Sequence, residues 1–164
     1  MEARIVVIDS DESMRQLFTL CLDDAGWDVL SYNYAQIDLP SLQGLHPDLI
    51  ILAFDRPSGG TGWDFLQLLK MEDATAHIPV LIRTAFRVSG EMRGYLLARS
   101  IQVIGDPLDL DSFIPLVQHT LTQASRPGMV FARDRSLPIL VVDDTEDLRD
   151  VLATVLPLFC HFRV

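Results

Sequence analysis

The chain has a single lysine. Lys70 stands alone among 164 residues, so any chemistry that needs an ammonium elsewhere is excluded. Cysteine is nearly as scarce, with only Cys21 and Cys160. One falls in a helical pattern and one near the end, so a reducing compartment is expected rather than a disulfide framework. No apolar run approaches the roughly 18 residues needed to cross a bilayer. The opening MEARIVVID has no charged-then-apolar export pattern, so the expectation is a cytoplasmic protein without a membrane segment. No G-x-x-x-x-G-K-[ST] or G-x-G-x-x-G phosphate loop occurs, and Gly59–Gly60 is a plain loop device. Ser10, Thr84 and the histidines make no nucleophile–base set, because His46 and His77 fall at the N-terminal ends of their strands. A basic patch is lacking too. The formal charge is −10, and Arg4 and Arg15 are the only basic residues in residues 1–50. That argues against binding a nucleic-acid backbone. The acidity reads as a solvated face or as a site for a cation or a basic partner.

What is present is a core and a rhythm. Apolar residues make up 49% of the chain, enough to exclude global disorder. Short β-branched runs alternate with helical stripes. Ile5–Ile8 precedes Met14, Leu17, Phe18 and Cys21, a helix capped by Asp11 or Ser13 and stopped by Gly26. Trp27–Tyr32 is a second strand, and Pro40 and Gly44 keep the helix that follows short. Leu49–Phe54 is a third strand, followed by Phe65, Leu66 and Leu69. Val80–Ile82 leads to Val88, Met92, Tyr95 and Leu96. Ile101–Ile104 leads to Leu110, Ile114, Val117 and Leu121. Five strand–helix units in alternation specify an α/β fold with a parallel sheet covered on both faces.

The pattern lapses after residue 122. Residues 123–137 read as a linker, rich in Pro, Gly and mixed charge. Residues 138–164 resume it. ILVVDDTEDLRDVL repeats the opening IVVIDSDESMRQLF, and the repeat stops after one strand–helix unit. Such a unit cannot bury its own faces. The tail is therefore expected to belong to a longer tandem protein or to pack on something else.

In an open parallel sheet the site lies beyond the carboxyl ends of the strands. Those ends deliver Asp9, Ser10 and Asp11, then Ala53 to Asp55, then Thr84 and Ala85, then Asp106 and Pro107. With HPDLIIL, GWDFLQLLK, AHIPVLIRTA and DPLDLDSF, this set resembles the receiver domain of two-component response regulators over residues 3–122. The resemblance implies a flavodoxin-like, doubly wound five-stranded sheet in the order 2-1-3-4-5. It also implies a phosphoryl-accepting site: two acids holding a divalent cation, an aspartate ending strand three, a hydroxyl ending strand four, and a Lys-Pro after strand five. The physics is charge neutralisation. A carboxylate accepts a phosphoryl group only if hard-ligated Mg²⁺ and an ammonium offset the negative charges.

Placed on that pattern, Asp9 fits the first acid, Ser10 replaces the second, and Ala53 replaces the acceptor. Thr84 fits the hydroxyl, and Asp106 stands where the lysine belongs, with Val103 in place of an aromatic. The site is expected to be a degenerate phosphorylation site with no catalytic residue, no cofactor and no metal. Asp9 and Asp55 are the weak metal candidates. Asp55, two residues past Ala53, is the candidate surrogate acceptor or ligand, and Mg²⁺ would be a cofactor only on that alternative. The plain reading of Asp9, Asp11 and Glu12 is a helix N-terminal cluster, and that of Thr84 a strand-end hydroxyl bonding backbone. In the second copy Asp143 and Asp144 keep the full acid pair.

The expected function is a non-enzymatic, non-phosphorylatable signalling module. It would contact signalling proteins, either histidine kinases or other receiver or effector domains, and a homodimer is a candidate. The resemblance places partner contacts on the Val88–Leu121 face, with Tyr95, Leu97 and Phe113 as candidate contacts; the plainer reading is that each belongs to the core. Two alternatives stay open. One is a phosphoacceptor receiver using Asp55. The other is a flavodoxin-like protein binding a small ligand over Ala53, among Ser10, Thr84 and Asp106.

Overall fold

The computed structural model describes residues 3–56, 60–99, 101–105 and 108–124. The chain divides into the units Met1–Gly128 and Met129–Val164, and every described residue lies in the first. Asp106, Pro107, Asp143, Asp144, the expected linker beyond Ala124 and the repeat at 138–164 lie outside the described residues.

Five strands form one parallel sheet: β1 (Arg4–Ile8), β2 (Asp28–Tyr32), β3 (Leu49–Phe54), β4 (Val80–Thr84) and β5 (Gln102–Gly105). Their order is β2-β1-β3-β4-β5. Six helical segments connect and follow them: α1 (Glu12–Asp24), α2 (Leu39–Leu45), α3 (Gly60–Met71), α4 (Asp73–Ala76), α5 (Gly90–Ala98) and α6 (Leu110–Ala124). The parallel sheet that the alternating pattern specifies, and the doubly wound strand order that the resemblance implies, are the observed ones. The sequence pattern did not suggest α4, because four residues, DATA, carry no period.

Local chemistry sets the boundaries. The Asp11 carboxylate caps α1, accepting from the backbone N–H groups of Ser13 and Met14 at 2.9 and 3.3 Å. Gly26 ends α1 in the left-handed region, at φ +88°, where glycine carries no Cβ penalty. Asp38 caps α2 through the Ser41 N–H, with Pro40 in its first turn.

Strand alternation divides the core in two. Val6, Ile8, Ile50, Leu52, Phe54, Val80 and Ile82 face Leu42, Leu66, Leu69, Met92 and Leu96. Ile5, Val7, Leu49, Ile51, Leu81 and Ile104 face Phe18 and Leu22 of α1 and Phe113 and Val117 of α6. All six residues of β3 are buried, as expected of a central parallel strand.

The lone lysine is a structural residue. Lys70 Nζ donates to the carbonyls of Ala76 and Ile78 at 2.9 and 2.6 Å. This holds the turn that feeds β4, at the edge of the sheet away from the strand ends. Burial, with Arg99 adding like charge, lowers its pKa from the usual lysine range to about 8.

Candidate functional site

The register puts three residues in one row across the strand ends. Ile8 pairs with Leu52, so Asp9 falls beside Ala53, and Ala53 pairs with Arg83. These residues continue the sheet face of Ile5, Val7, Ile51 and Leu81. Arg83 Nε donates to Asp9 Oδ2 at 2.9 Å. The ion pair is nearly closed to water, with side-chain exposures of 12% for Arg83 and 2% for Asp9. It passes across Ala53, which is itself buried. Neighbouring strands lie about 4.8 Å apart, so the pair spans two strand spacings over a methyl group.

Other groups fix the row in place. The Asp11 N–H donates to Asp9 Oδ1 at 2.9 Å. Arg15 Nη1 donates to the carbonyls of Asp9 and Ser10 at 2.8 and 3.2 Å. From the loop between β2 and α2, the Tyr34 hydroxyl donates to the Ala53 carbonyl. Burial raises the Tyr34 pKa above the ordinary phenol range, and the charges of Asp9 and Asp55 add to that, while Arg83 opposes it. Gly62, in the first turn of α3, presses on the same carbonyl. A Cβ there would lie 2.3 Å from Ala53 O.

The expected site residues are therefore only partly brought together. Asp9 and Ala53 meet. Ser10 is exposed at the lip. Thr84 pairs with Phe54, on the opposite face from Ala53 by strand alternation, and its hydroxyl accepts from the Phe86 N–H at 3.1 Å. The plain reading of Thr84 as a strand-end hydroxyl describes this geometry. Asp11 serves α1 as its cap. Asp55 is exposed in the loop after β3. Sequence reasoning missed Arg83 and Tyr34.

The receiver resemblance implies a divalent cation, and the described residues do not fit one. Both Asp9 oxygens are taken, one by an N–H and one by a guanidinium. Ser10 is neutral, and the Ala53 side chain has no ligand atom. No group of three or more His, Cys, Asp or Glu suited to a metal occurs among the described residues. A cleft lies instead at the N-terminal edge of the sheet, lined in part by Arg4, Asp28, His46, Asp48 and His77.

On the Val88–Leu121 face, Phe113 is corrected as a surface contact. It is buried against Phe18, with ring centroids 5.2 Å apart. Tyr95 is half-buried against Trp63 and carries Arg99 over its ring, 3.7 Å from the centroid. Leu97, Val103 and Leu110 are exposed. No helix among the described residues is long and apolar enough to cross a membrane.

No protein-family model matches the chain. The phosphate regulon transcriptional regulatory protein PhoB of Klebsiella pneumoniae is 33% identical over 85 residues, 52% of this chain and 37% of that protein. The match thus spans little more than a third of that relative's length. The polar-differentiation response regulator DivK of Brucella ovis is 23% identical over 124 residues, 76% of this chain and 100% of that protein. Among solved structures, the chemotaxis protein CheY4 of Vibrio cholerae superimposes with a TM-score of 0.62 at 23% identity, covering 73% of this chain and 99% of that one. The signal receiver domain of a histidine kinase from Syntrophus aciditrophicus gives 0.64 at 18% identity, covering 78% and 96%. The fold is the CheY-like, flavodoxin-like one. In sequence the chain is similar to response regulators, and in fold to receiver domains.

Proposed function

We propose that this chain is a pseudo-receiver: a signalling module that keeps the receiver fold, takes no phosphoryl group, and acts by protein–protein contact rather than as an enzyme. The observation that carries this reading is the row Asp9–Ala53–Arg83. The strand end that would present a nucleophile presents a methyl group, which cannot attack phosphorus. The acid that would hold a cation is held by a guanidinium at 2.9 Å. The only ammonium, on Lys70, is bonded to backbone carbonyls elsewhere. Among the described residues, the nucleophile, the second acid and the lysine are thus each absent from the place where phosphoryl transfer needs them.

The partners on this reading are signalling proteins, histidine kinases or other receiver and effector domains, or a second copy of the chain. Exposed Leu97, Val103 and Leu110, on α5, β5 and α6, support contacts there. Incubation with acetyl phosphate and Mg²⁺, followed by intact mass measurement, tests the reading. The expected result is an unmodified chain. A gain of about 80 Da, one phosphoryl group, that disappears in Asp55→Ala would establish the surrogate acceptor instead.

A further inference from the structure

We propose that Arg83 is a built-in counter-cation, whose guanidinium takes the charge-balancing place of a divalent ion beside Asp9 and closes the strand ends to metal. This deepens the pseudo-receiver reading and rests on it. Losing the acceptor alone would not require it. A receiver with a methyl group at position 53 could still hold a cation on its remaining acid. Here the acid is occupied.

The geometry makes Ala53 and Arg83 a matched pair. Asp9 and Arg83 sit on strands two apart, about 9.6 Å by the usual spacing. Only a long side chain reaching over residue 53 closes that distance, and Ala53 leaves it room. Ala53 is buried beneath the crossing, and the pair that crosses it is almost water-free. A buried carboxylate needs a partner charge. Mg²⁺ could supply it, but it would have to share the carboxylate with a guanidinium 2.9 Å from Oδ2 and an N–H 2.9 Å from Oδ1, against the repulsion of the fixed positive charge. The guanidinium stays charged at every accessible pH and cannot dissociate from the chain. The site therefore keeps one charge state whatever the metal concentration, and the domain holds a conformation independent of Mg²⁺.

The test compares thermal unfolding of the full chain in excess MgCl₂ and in NaCl of equal ionic strength. Three versions are measured: wild type, Ala53→Asp, and Ala53→Asp with Arg83→Val. In the first two the guanidinium remains, and the midpoint is expected to be the same in both salts. In the double variant two carboxylates face each other without a cation, and Mg²⁺ is expected to raise the midpoint by about 4 °C or more. A magnesium-dependent rise in wild type or in Ala53→Asp alone would overturn the proposal, as would no rise in a folded double variant. The Ala53→Asp single variant keeps the Arg83 guanidinium as the cation for both carboxylates, so it decides the matter even if the double variant does not fold. No phosphoryl donor enters these arms. A phosphoryl adduct on the wild-type chain would instead overturn the pseudo-receiver reading itself.

Discussion

Arg83→Ala is expected to cost about 3–5 kcal/mol of unfolding free energy, the usual penalty for leaving one charge of a buried pair alone. Asp9 is 1% exposed, so its carboxylate cannot recover hydration in place of the lost partner. A domain of this size has about 5–15 kcal/mol in total, so the loss is a large part of its stability. Guanidinium chloride unfolding measures it. Removing both charges, with Asp9→Asn and Arg83→Met, is expected to cost less than the sum of the two single changes, with a coupling of about 0.5–3 kcal/mol. The Asn amide oxygen can still accept from the Asp11 N–H, so what is lost there is only the charge-assisted part of that bond. A change within about 0.5 kcal/mol for Arg83→Ala, typical of a surface substitution, would show that the pair is not buried in solution.

Two glycine substitutions are expected to differ in sign. In α3, a Cβ on Gly62 would stand 2.3 Å from Ala53 O, 2.8 Å from Tyr34 Oη and 2.9 Å from Phe54 Cδ1. The nearest of these is backbone of the central strand and cannot swing away. Overpacking of this kind costs about 1–3 kcal/mol and at times more. Gly62→Ala is placed at the upper end of that range, even after the gain in helix propensity. In α5, a Cβ on Gly94 meets nothing within 4 Å. Gly94→Ala is expected to stabilise the chain by about 0.5–1 kcal/mol through helix propensity alone. Denaturation midpoints of the two variants check this. Equal and small effects would mean that α3 does not press on the end of β3.

Most of the architecture was legible because burial imposes period. The apolar runs of β1, β3 and β4, the stripes of α1 and α6, the Asp11 cap and the Gly26 stop each follow from local chemistry. The position of Ala53 followed as well. The far side of the site did not. Arg83 interrupts the apolar run IPVLIRTA, and a charge inside a buried strand asks for a partner. That signal was readable, but its answer lies 74 positions away in sequence at Asp9 and emerges only from the register of three strands. Thr84 was legible as a strand-end hydroxyl bonding backbone, and the structure shows it accepting from the Phe86 N–H. Tyr34 sits in an irregular stretch with no period to announce it. Phe113, open between contact and core in the sequence, is core, and its spacing to Val117 puts both on the buried stripe of α6.

A crystal structure of the chain grown in excess Mg²⁺ tests the central claim most directly. The expected result is the Arg83 guanidinium against the Asp9 carboxylate across the Ala53 methyl, with no ion bound to that acid. A magnesium ion at about 2.1 Å from an Asp9 oxygen, with Arg83 turned away and Asp55 facing it, would contradict the account.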